Sequence, residues 1–346
     1  MRLNAIQRIV SRKKSLRHTM KDYIESFPEQ LRTAIQIGQS AKISFKGITL
    51  SQVCLSGLGG SGIGGSLVQD YVSGLMKIPF VVNKSYEIPR SVNAQTLFIA
   101  CSYSGNTEET LAAVKQARKV KALIVCITSG GELQKFAEQH AYPCILIPSG
   151  MPPRACLGYS VTQILYVLAK AGLIQKSFEK EFQEAILTIE KQSTQLNKQG
   201  LKLAQKLSKR EVLLYTTVGH EGLTVRFKQQ LNENSKMLAA HNVIPEMTHN
   251  EIVGWRDIQK QRTVVCISAP NDYSANLRRM NFLKKVIKTC QAEIIDMQLL
   301  GESFWKDALI FIHLTDWVSW HLSVLNEKDA VEVKVIDRLK SEMSKK

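Results

Sequence analysis

The sequence predicts an α/β fold of two doubly wound modules, each with a parallel sheet flanked by helices. Short apolar segments of strand length alternate with helical segments up to about residue 150, as in parallel sheets covered on both faces. The alternation restarts after residue 210, beyond a long helical region. A strand, a glycine-bearing turn and a helix recur at 52–72 and at 212–238, which indicates an internal duplication.

In the first half, helical periodicity at about 18–37 precedes the strands. Strands are predicted near residues 42–47, 52–56, 79–83, 96–101, 122–127 and 143–147. A cluster of Pro and Gly at 148–153 ends the alternation. We therefore predict a basic N-terminal arm at 1–19, a first module at 20–152 and a second module, with its linker helices, at 153–346.

In the second half, a helical stretch from about 158 to 209 is predicted to carry the crossover between the modules. Strands are predicted at 211–216, 263–268 and 308–312, with a helix through Arg226 to Leu238. The strand, turn and helix at 96–117 recur at 263–288. The second copy reads Ala-Pro-Asn-Asp at 269–272 where the first has a hydroxyl cluster, so a ligand site is expected in the first module only.

The composition is that of a globular chain with 346 residues, long enough for two cores, and 44% hydrophobic residues. It has no continuous apolar run of about 18 residues, so no membrane partner is expected. The seven cysteines are scattered without a C-x-x-C pair, which favours a reducing cytoplasm.

The formal net charge is +16, and the basic excess is concentrated before Asp22, the first acidic residue. An amphipathic helix or arm is favoured there over an organellar transit peptide. Because no helix-turn-helix or zinc-finger pattern occurs, we interpret the charge as a diffuse field that attracts anionic metabolites. No specific nucleic-acid partner is expected.

The strongest local signal is the apolar strand that ends in a hydroxyl-rich turn and a helix at residues 97–110. The hydroxyls of Ser102, Ser104 and Thr107 and the amides of the first helical turn would converge on one point. A helix N-terminus attracts anions, so this turn suits a phosphomonoester. The Asn-Thr-Glu sequence is also good capping chemistry, which is the alternative interpretation.

A second glycine-rich turn follows the strand at 52–56. Gly57, Gly59 and Gly62 fit G-x-G-x-x-G, so a dinucleotide site is a rival interpretation. In a dinucleotide site the next strand would end in an acidic residue that binds the ribose, but here it ends in Asn83 and Lys84. Lys84 could instead bind the 2′-phosphate of NADP. Two such turns on adjacent strands suit a sugar phosphate better than a dinucleotide.

Together these turns resemble the sugar isomerase (SIS) domain: a strand followed by Gly-Gly-Ser-Gly, and Ser-x-Ser-Gly-Asn-Thr-x-Glu-Thr. Three further segments, at 152–159, 231–236 and 249–255, narrow the resemblance. From about residue 20 onward the chain is similar to the bifunctional phosphoglucose/phosphomannose isomerase family, whose members act as homodimers that share active sites.

The resemblance implies an aldose–ketose isomerisation through a cis-enediol(ate), without metal or cofactor. Glu233 would be the base, Arg154 would stabilise the enediolate, and His249 with Lys340 would open the sugar ring. The resemblance also implies five phosphate-binding residues: Gly60, Ser61, Ser102, Ser104 and Thr107.

Each role has a structural alternative. Glu233 could be a surface carboxylate, Arg154 a brace in the linker, His249 a turn-capping residue and Lys340 part of a solvated tail. The remaining histidines show no ligand spacing with carboxylates or cysteines, so a zinc-dependent mechanism is disfavoured.

One departure from the family concerns the mannose epimer. A Thr shortly before the terminal Leu-Lys is linked in the family to accepting mannose 6-phosphate, and no Thr follows Asn326 here. Glucose 6-phosphate is therefore the firmer expectation. Two rival functions remain: a fragment of a glutamine-dependent aminosugar synthase, and a non-catalytic sugar-phosphate sensor that binds nucleic acid.

Overall fold

The computed structural model describes residues 19–343, which begin with two helices, α1 (Met20–Glu25) and α2 (Phe27–Ser40). A five-stranded parallel sheet in the order β2-β1-β3-β4-β5 follows. Its elements are β1 (Gln52–Ser56), α3 (Gly59–Val72), β2 (Phe80–Asn83), β3 (Thr96–Ser102), α4 (Glu108–Lys119), β4 (Leu123–Thr128), α5 (Gly131–Gln139) and β5 (Cys144–Leu146).

Three helices lead to the second module: α6 (Leu157–Lys170), α7 (Phe178–Lys191) and α8 (Ser193–Leu207). The parallel sheet that follows has the order β7-β6-β8-β9. Its elements are β6 (Glu211–Thr217), α9 (Glu221–Glu233), β7 (Ala239–Ile244), β8 (Arg262–Ser268), α10 (Ser274–Thr289), β9 (Glu293–Gln298), α11 (Phe304–Leu325) and α12 (Lys334–Met343). This order repeats that of the first four strands, so two doubly wound modules are confirmed.

The two modules share one hydrophobic core, in which α3 packs against α9. The contact is close because α9 carries Gly222, where an added Cβ would lie 3.0 Å from the Leu67 nitrogen. By length and composition α11 is the one described helix that could cross a membrane, but 72% of its most apolar stretch is buried inside the protein. It is therefore the central core helix of this fold.

Two predicted strands are wrong. Residues 308–312 belong to α11, because a helix buried on most sides shows a continuous apolar run without the helical period. Residues 42–47 form no strand, although Ile43 and Phe45 pack against the core and give the segment an alternating pattern.

Two observed strands, β7 and β9, were not predicted, because they are edge strands in part exposed to solvent and therefore polar in sequence. The helix predicted through Leu238 is shorter than expected, since α9 ends at Glu233. The predicted module boundary at 152/153 stays a prediction, and residues 1–18 of the predicted arm lie outside the described residues.

The N-terminus of α9 is occupied by a carboxylate from the first module. Asp70 Oδ2, on α3, accepts a hydrogen bond of 2.7 Å from the Gly222 amide. Burial raises the pKa of Asp70 to about 6. The hydrogen bond from the Gly222 amide acts in the opposite direction and lowers the pKa. Asp70 therefore joins the two modules and carries an unfavourable charge at neutral pH.

We expect Asp70→Asn to stabilise the protein relative to wild type, by an amount that grows as the pH rises from about 4 to about 7. Between the ordinary pKa of 3.8 and about 6 the folded state binds the proton and the unfolded state does not, so wild-type stability at this site falls as pH rises. Asparagine still accepts from Gly222 but has no charge. Calorimetric Tm values of both proteins at several pH values test this, and a pH-independent difference would contradict it.

A second carboxylate, that of Asp272 in the turn after β8, is bound by the turn after β6. Asp272 accepts hydrogen bonds from Thr217 Oγ1 (2.6 Å), His220 Nε2 (2.9 Å) and the Ala269 amide (2.8 Å). Burial acts to raise the pKa of Asp272, but these three donors together hold it below its ordinary value. The second module thus places its own anion at the switch point of its sheet.

Candidate active site

The two turns predicted to bind phosphate meet at the carboxyl ends of β1 and β3, which are neighbours in the sheet. Ser61 Oγ accepts from the Tyr103 amide at 3.2 Å, so the glycine-rich turn is joined to the hydroxyl-rich turn. Ser102 Oγ lies 2.9 Å from Thr107 Oγ1, and the exposed Ser104 lies between them in the chain. The structure therefore brings the predicted phosphate residues to one edge of the sheet.

The capping alternative for this turn finds no support in the hydrogen bonds. Thr107 stands at the N-cap of α4, but its side chain makes no capping bond and its hydroxyl contacts Ser102. Leu58, at the N-cap of α3, has no capping side chain either. Both helix N-termini at this edge are left without side-chain caps, the condition in which backbone amides bind an anion.

Because residue 60 is a glycine, the segment that carries Arg154 can pack directly against the glycine-rich turn. A Cβ added at Gly60 would lie 2.7 Å from the Pro153 carbonyl oxygen and 3.4 Å from the Arg154 nitrogen. Tyr103 makes a second link, since its Oη accepts from the Met151 amide at 3.0 Å. Arg154 is thereby placed beside the phosphate turns.

Gly60→Ala is accordingly expected to raise the KM for a sugar phosphate about 10-fold or more, because its Cβ would push the Pro153 backbone away from the turn. Gly74→Ala is the matched control, since nothing lies within 4 Å of a Cβ there. Steady-state kinetics of both variants test the prediction, and equal KM values for the two would contradict it.

Arg154 and Glu233 form the ion pair of the site. Arg154 Nη1 lies 3.3 Å from Glu233 Oε2, with the two side chains 5% and 29% exposed. Arg154 Nε donates to Asn234 Oδ1 at 2.6 Å, and Nη2 donates to the carbonyls of Ala330 (2.6 Å) and Val331 (3.0 Å). Burial lowers the pKa of Arg154, and the Glu233 carboxylate acts to raise it.

A buried polar face of α9, which was not predicted from the sequence, supports this pair. Arg226 Nη2 donates to the Arg154 carbonyl at 3.0 Å. The same nitrogen forms an ion pair with Asp316 on α11, 3.1 Å from Asp316 Oδ1. Gln230 donates to the same carboxylate at 2.7 Å. The signal was the spacing of polar residues at 226, 230 and 234 along one helix face, which a surface helix shows equally.

His249 and Lys340 are not brought to the pair. His249 is exposed at the end of a short 3₁₀ helix, Glu246–His249, and within residues 19–343 no hydrogen bond or ion pair joins it to Glu233. Lys340 is exposed on α12, none of whose residues is buried. Their predicted roles stay predictions.

The rival interpretations of the site concern a dinucleotide and a metal ion. Lys84, the candidate for binding a 2′-phosphate, is held within its own module, where its Nζ donates to Ser66 Oγ at 3.0 Å. In the described part of the chain, no three His, Cys, Asp or Glu side chains are grouped as a metal site needs.

Comparison with known proteins assigns this fold to the SIS class. The family model described as "SIS domain" matches residues 50–166, and the one described as "Bacterial phospho-glucose isomerase C-terminal SIS domain" matches residues 196–343. The C-terminal domain of glucosamine-fructose-6-phosphate aminotransferase from Francisella tularensis has the same fold, with a TM-score of 0.74 at 14% identity over 92% of this chain and 99% of that one.

Two curated relatives narrow the class. The bifunctional phosphoglucose/phosphomannose isomerase of Caldicellulosiruptor bescii is 36% identical over 94% of this chain and 99% of its own length. That of Aquifex aeolicus is 32% identical over 85% of this chain and 90% of its own length. The chain belongs to the bifunctional phosphoglucose/phosphomannose isomerase family and is an enzyme, an isomerase of sugar phosphates.

Proposed function

We propose that the protein interconverts glucose 6-phosphate and fructose 6-phosphate through a cis-enediol(ate), with mannose 6-phosphate as a second candidate substrate. The observation that supports this best is the pairing of Arg154 Nη1 with Glu233 Oε2 at 3.3 Å, beside two uncapped helix N-termini. Such a site has a base, a cation for a developing oxyanion and a place for a phosphate.

In this mechanism Glu233 removes the proton from C2 of the open-chain aldose and returns it to C1 of the enediol(ate), while a proton passes from the C2 hydroxyl to the C1 oxygen, which gives the ketose. Arg154 stabilises the negative charge on the enediolate oxygen. Ser61, Ser102 and Thr107, with the amides of α3 and α4, would hold the phosphate. The carbon-bound proton moves between substrate and carboxylate and the hydroxyl proton between the two substrate oxygens, so the proposal requires no cofactor.

Ring opening needs further acid–base groups, for which we propose His249 and Lys340. Because His249 is exposed and lies outside its own Arg154–Glu233 pair, we propose a homodimer in which it enters the site of the second subunit. Mixing inactive Glu233→Gln and His249→Asn variants would then restore activity, since hybrid dimers contain one complete site.

We further propose that the enzyme works in the cytoplasm. Its ligands would be sugar phosphates, without a membrane or a specific nucleic acid as partner. All seven cysteines are free thiols, and most are buried in the sheets and helices. Free buried thiols persist in a reducing compartment.

A coupled assay of the purified protein in EDTA, with fructose 6-phosphate and then mannose 6-phosphate, tests the proposal. Turnover of both makes the enzyme bifunctional, and turnover of the glucose–fructose pair alone gives Val331 and Val333 a role in excluding the epimer. Tight binding of sugar phosphates without turnover would overturn the proposal in favour of the sensor. Salt-dependent DNA binding would then be expected.

A further inference from the structure

Lys236 holds a backbone segment against the end of α9. Its Nζ donates to the carbonyls of Glu233 (2.5 Å), Asp329 (2.9 Å) and Glu332 (2.7 Å). An ammonium group has three N–H donors, so all of them are used, and all on backbone oxygens. We call residues 329–332, which connect α11 to α12, the strap.

The middle of the strap is held by Arg154, whose Nη2 donates to Ala330 and Val331. Arg154 and Lys236 together thus bind four consecutive carbonyls of the strap. The strap is an integral wall of the site, although its own side chains contribute none of these bonds.

The strap also fixes how Arg154 is oriented. Four of its five N–H donors bond to Asn234, Glu233 and the strap, so within the described chain one donor, on Nη1, has no partner. That donor is on the nitrogen beside the Glu233 carboxylate. With the strap in place, the guanidinium can therefore donate a hydrogen bond to a substrate oxygen next to the base.

The conformation of Lys236 indicates a specific requirement for its side chain. Its φ is +55°, in the left-handed region that favours glycine and in which side chains with a Cβ are strained. Glycine would be the less strained residue at this place, yet only a side chain with several donors can bind the three carbonyls.

We propose that Lys236 is a positioning residue of the isomerase: it fastens the strap, and with it α12, to the α9 end that carries Glu233. The proposal rests on the proposed function and adds that the placement of α12 depends on the strap, because none of the residues of α12 is buried. Lys236 itself touches no reacting atom in this proposal.

The test compares Lys236→Met and Lys236→Gly with wild type. Both remove the ammonium, and the glycine variant also relieves the positive φ. We expect kcat for fructose 6-phosphate to fall about 10- to 100-fold in both, with KM changed less than about 3-fold, because misplacement affects the reacting geometry and not the phosphate turns. Lys236→Arg, which keeps donors, should recover part of kcat.

Hydrogen exchange gives a readout that does not depend on activity. The amides of α12 should exchange faster in Lys236→Met and Lys236→Gly than in wild type. Lys209→Met and Lys209→Gly are matched controls, since Lys209 is exposed with a φ of +57° and lies far from the strap in sequence.

Wild-type kcat in Lys236→Met, or unchanged exchange of α12 with reduced kcat, would overturn the proposal. If the glycine variant recovers wild-type kcat, the side chain has no positioning role and the proposal is wrong. If wild type itself does not isomerise fructose 6-phosphate, the proposed function fails, while the exchange of α12 still decides whether Lys236 fastens the strap.

Discussion

Replacing Glu233 by Gln is expected to lower kcat for fructose 6-phosphate by about 10³-fold while leaving its binding nearly intact. The amide cannot take a proton, and a positioned general base contributes about 10²- to 10⁴-fold. Its oxygen still accepts from Arg154 Nη1, which lies 3.3 Å from the carboxylate in wild type, so the site keeps its shape. The coupled assay measures kcat, and titration calorimetry measures binding.

Exchange of a C1 proton of fructose 6-phosphate with deuterium from the solvent should stop in the same variant, as followed by NMR. Glu221→Gln is the matched control, since Glu221 opens the same helix and its side chain is 56% exposed. Wild-type turnover in Glu233→Gln would remove Glu233 from its role and favour the interpretation as a surface carboxylate.

Arg154→Lys is expected to reduce both activity and stability. A lysine has three donors on one atom and cannot reproduce the planar set that reaches Glu233, Asn234 and the strap. Loss of the oxyanion donor should lower kcat about 10²- to 10³-fold. The buried acceptors left unpaired should lower the free energy of unfolding by about 2–4 kcal/mol. Kinetics and urea denaturation measure the two effects separately.

The control for this variant is Arg32→Lys, at an exposed ion pair with Glu190 of 2.6 Å. There the expected loss of stability is below about 1 kcal/mol, and kcat should not change. If Arg154→Lys loses stability but keeps wild-type kcat, Arg154 is a brace in the linker, as the structural alternative supposes.

The sequence predicted those elements whose burial leaves a distinct pattern. The central strands β1, β3, β6 and β8 are apolar runs bounded by turns, and they were identified close to their observed ends. The edge strands β7 and β9 were not predicted, because their solvent-exposed positions carry polar residues and interrupt the apolar run. Residues 308–312 of α11 were misassigned because a short apolar run has the same appearance in a buried helix and a buried strand.

For the site, local turns were predictable and distant pairs were not. Ser61, Ser102 and Thr107 follow parallel strands, so the alternation alone places them at the same edge of the sheet, and the structure adds that β1 and β3 are neighbours. Arg154 and Glu233 are 79 residues apart, and only the family resemblance connected them. The roles of Arg226, Asp316 and Lys236 depend on how α9, α11 and the strap pack, which local sequence does not specify.

The carboxylates of Asp70 and Asp272 bear on how many ligands a chain takes. Where the first module leaves its helix N-termini uncapped, the second has Asp70 on the Gly222 amide and Asp272 at its switch point. The second copy is thus a scaffold whose amides are bound by carboxylates of the chain itself, one from each module. For the proposed function we expect a single phosphate per chain, so inorganic phosphate should compete with the sugar phosphate at one class of site only.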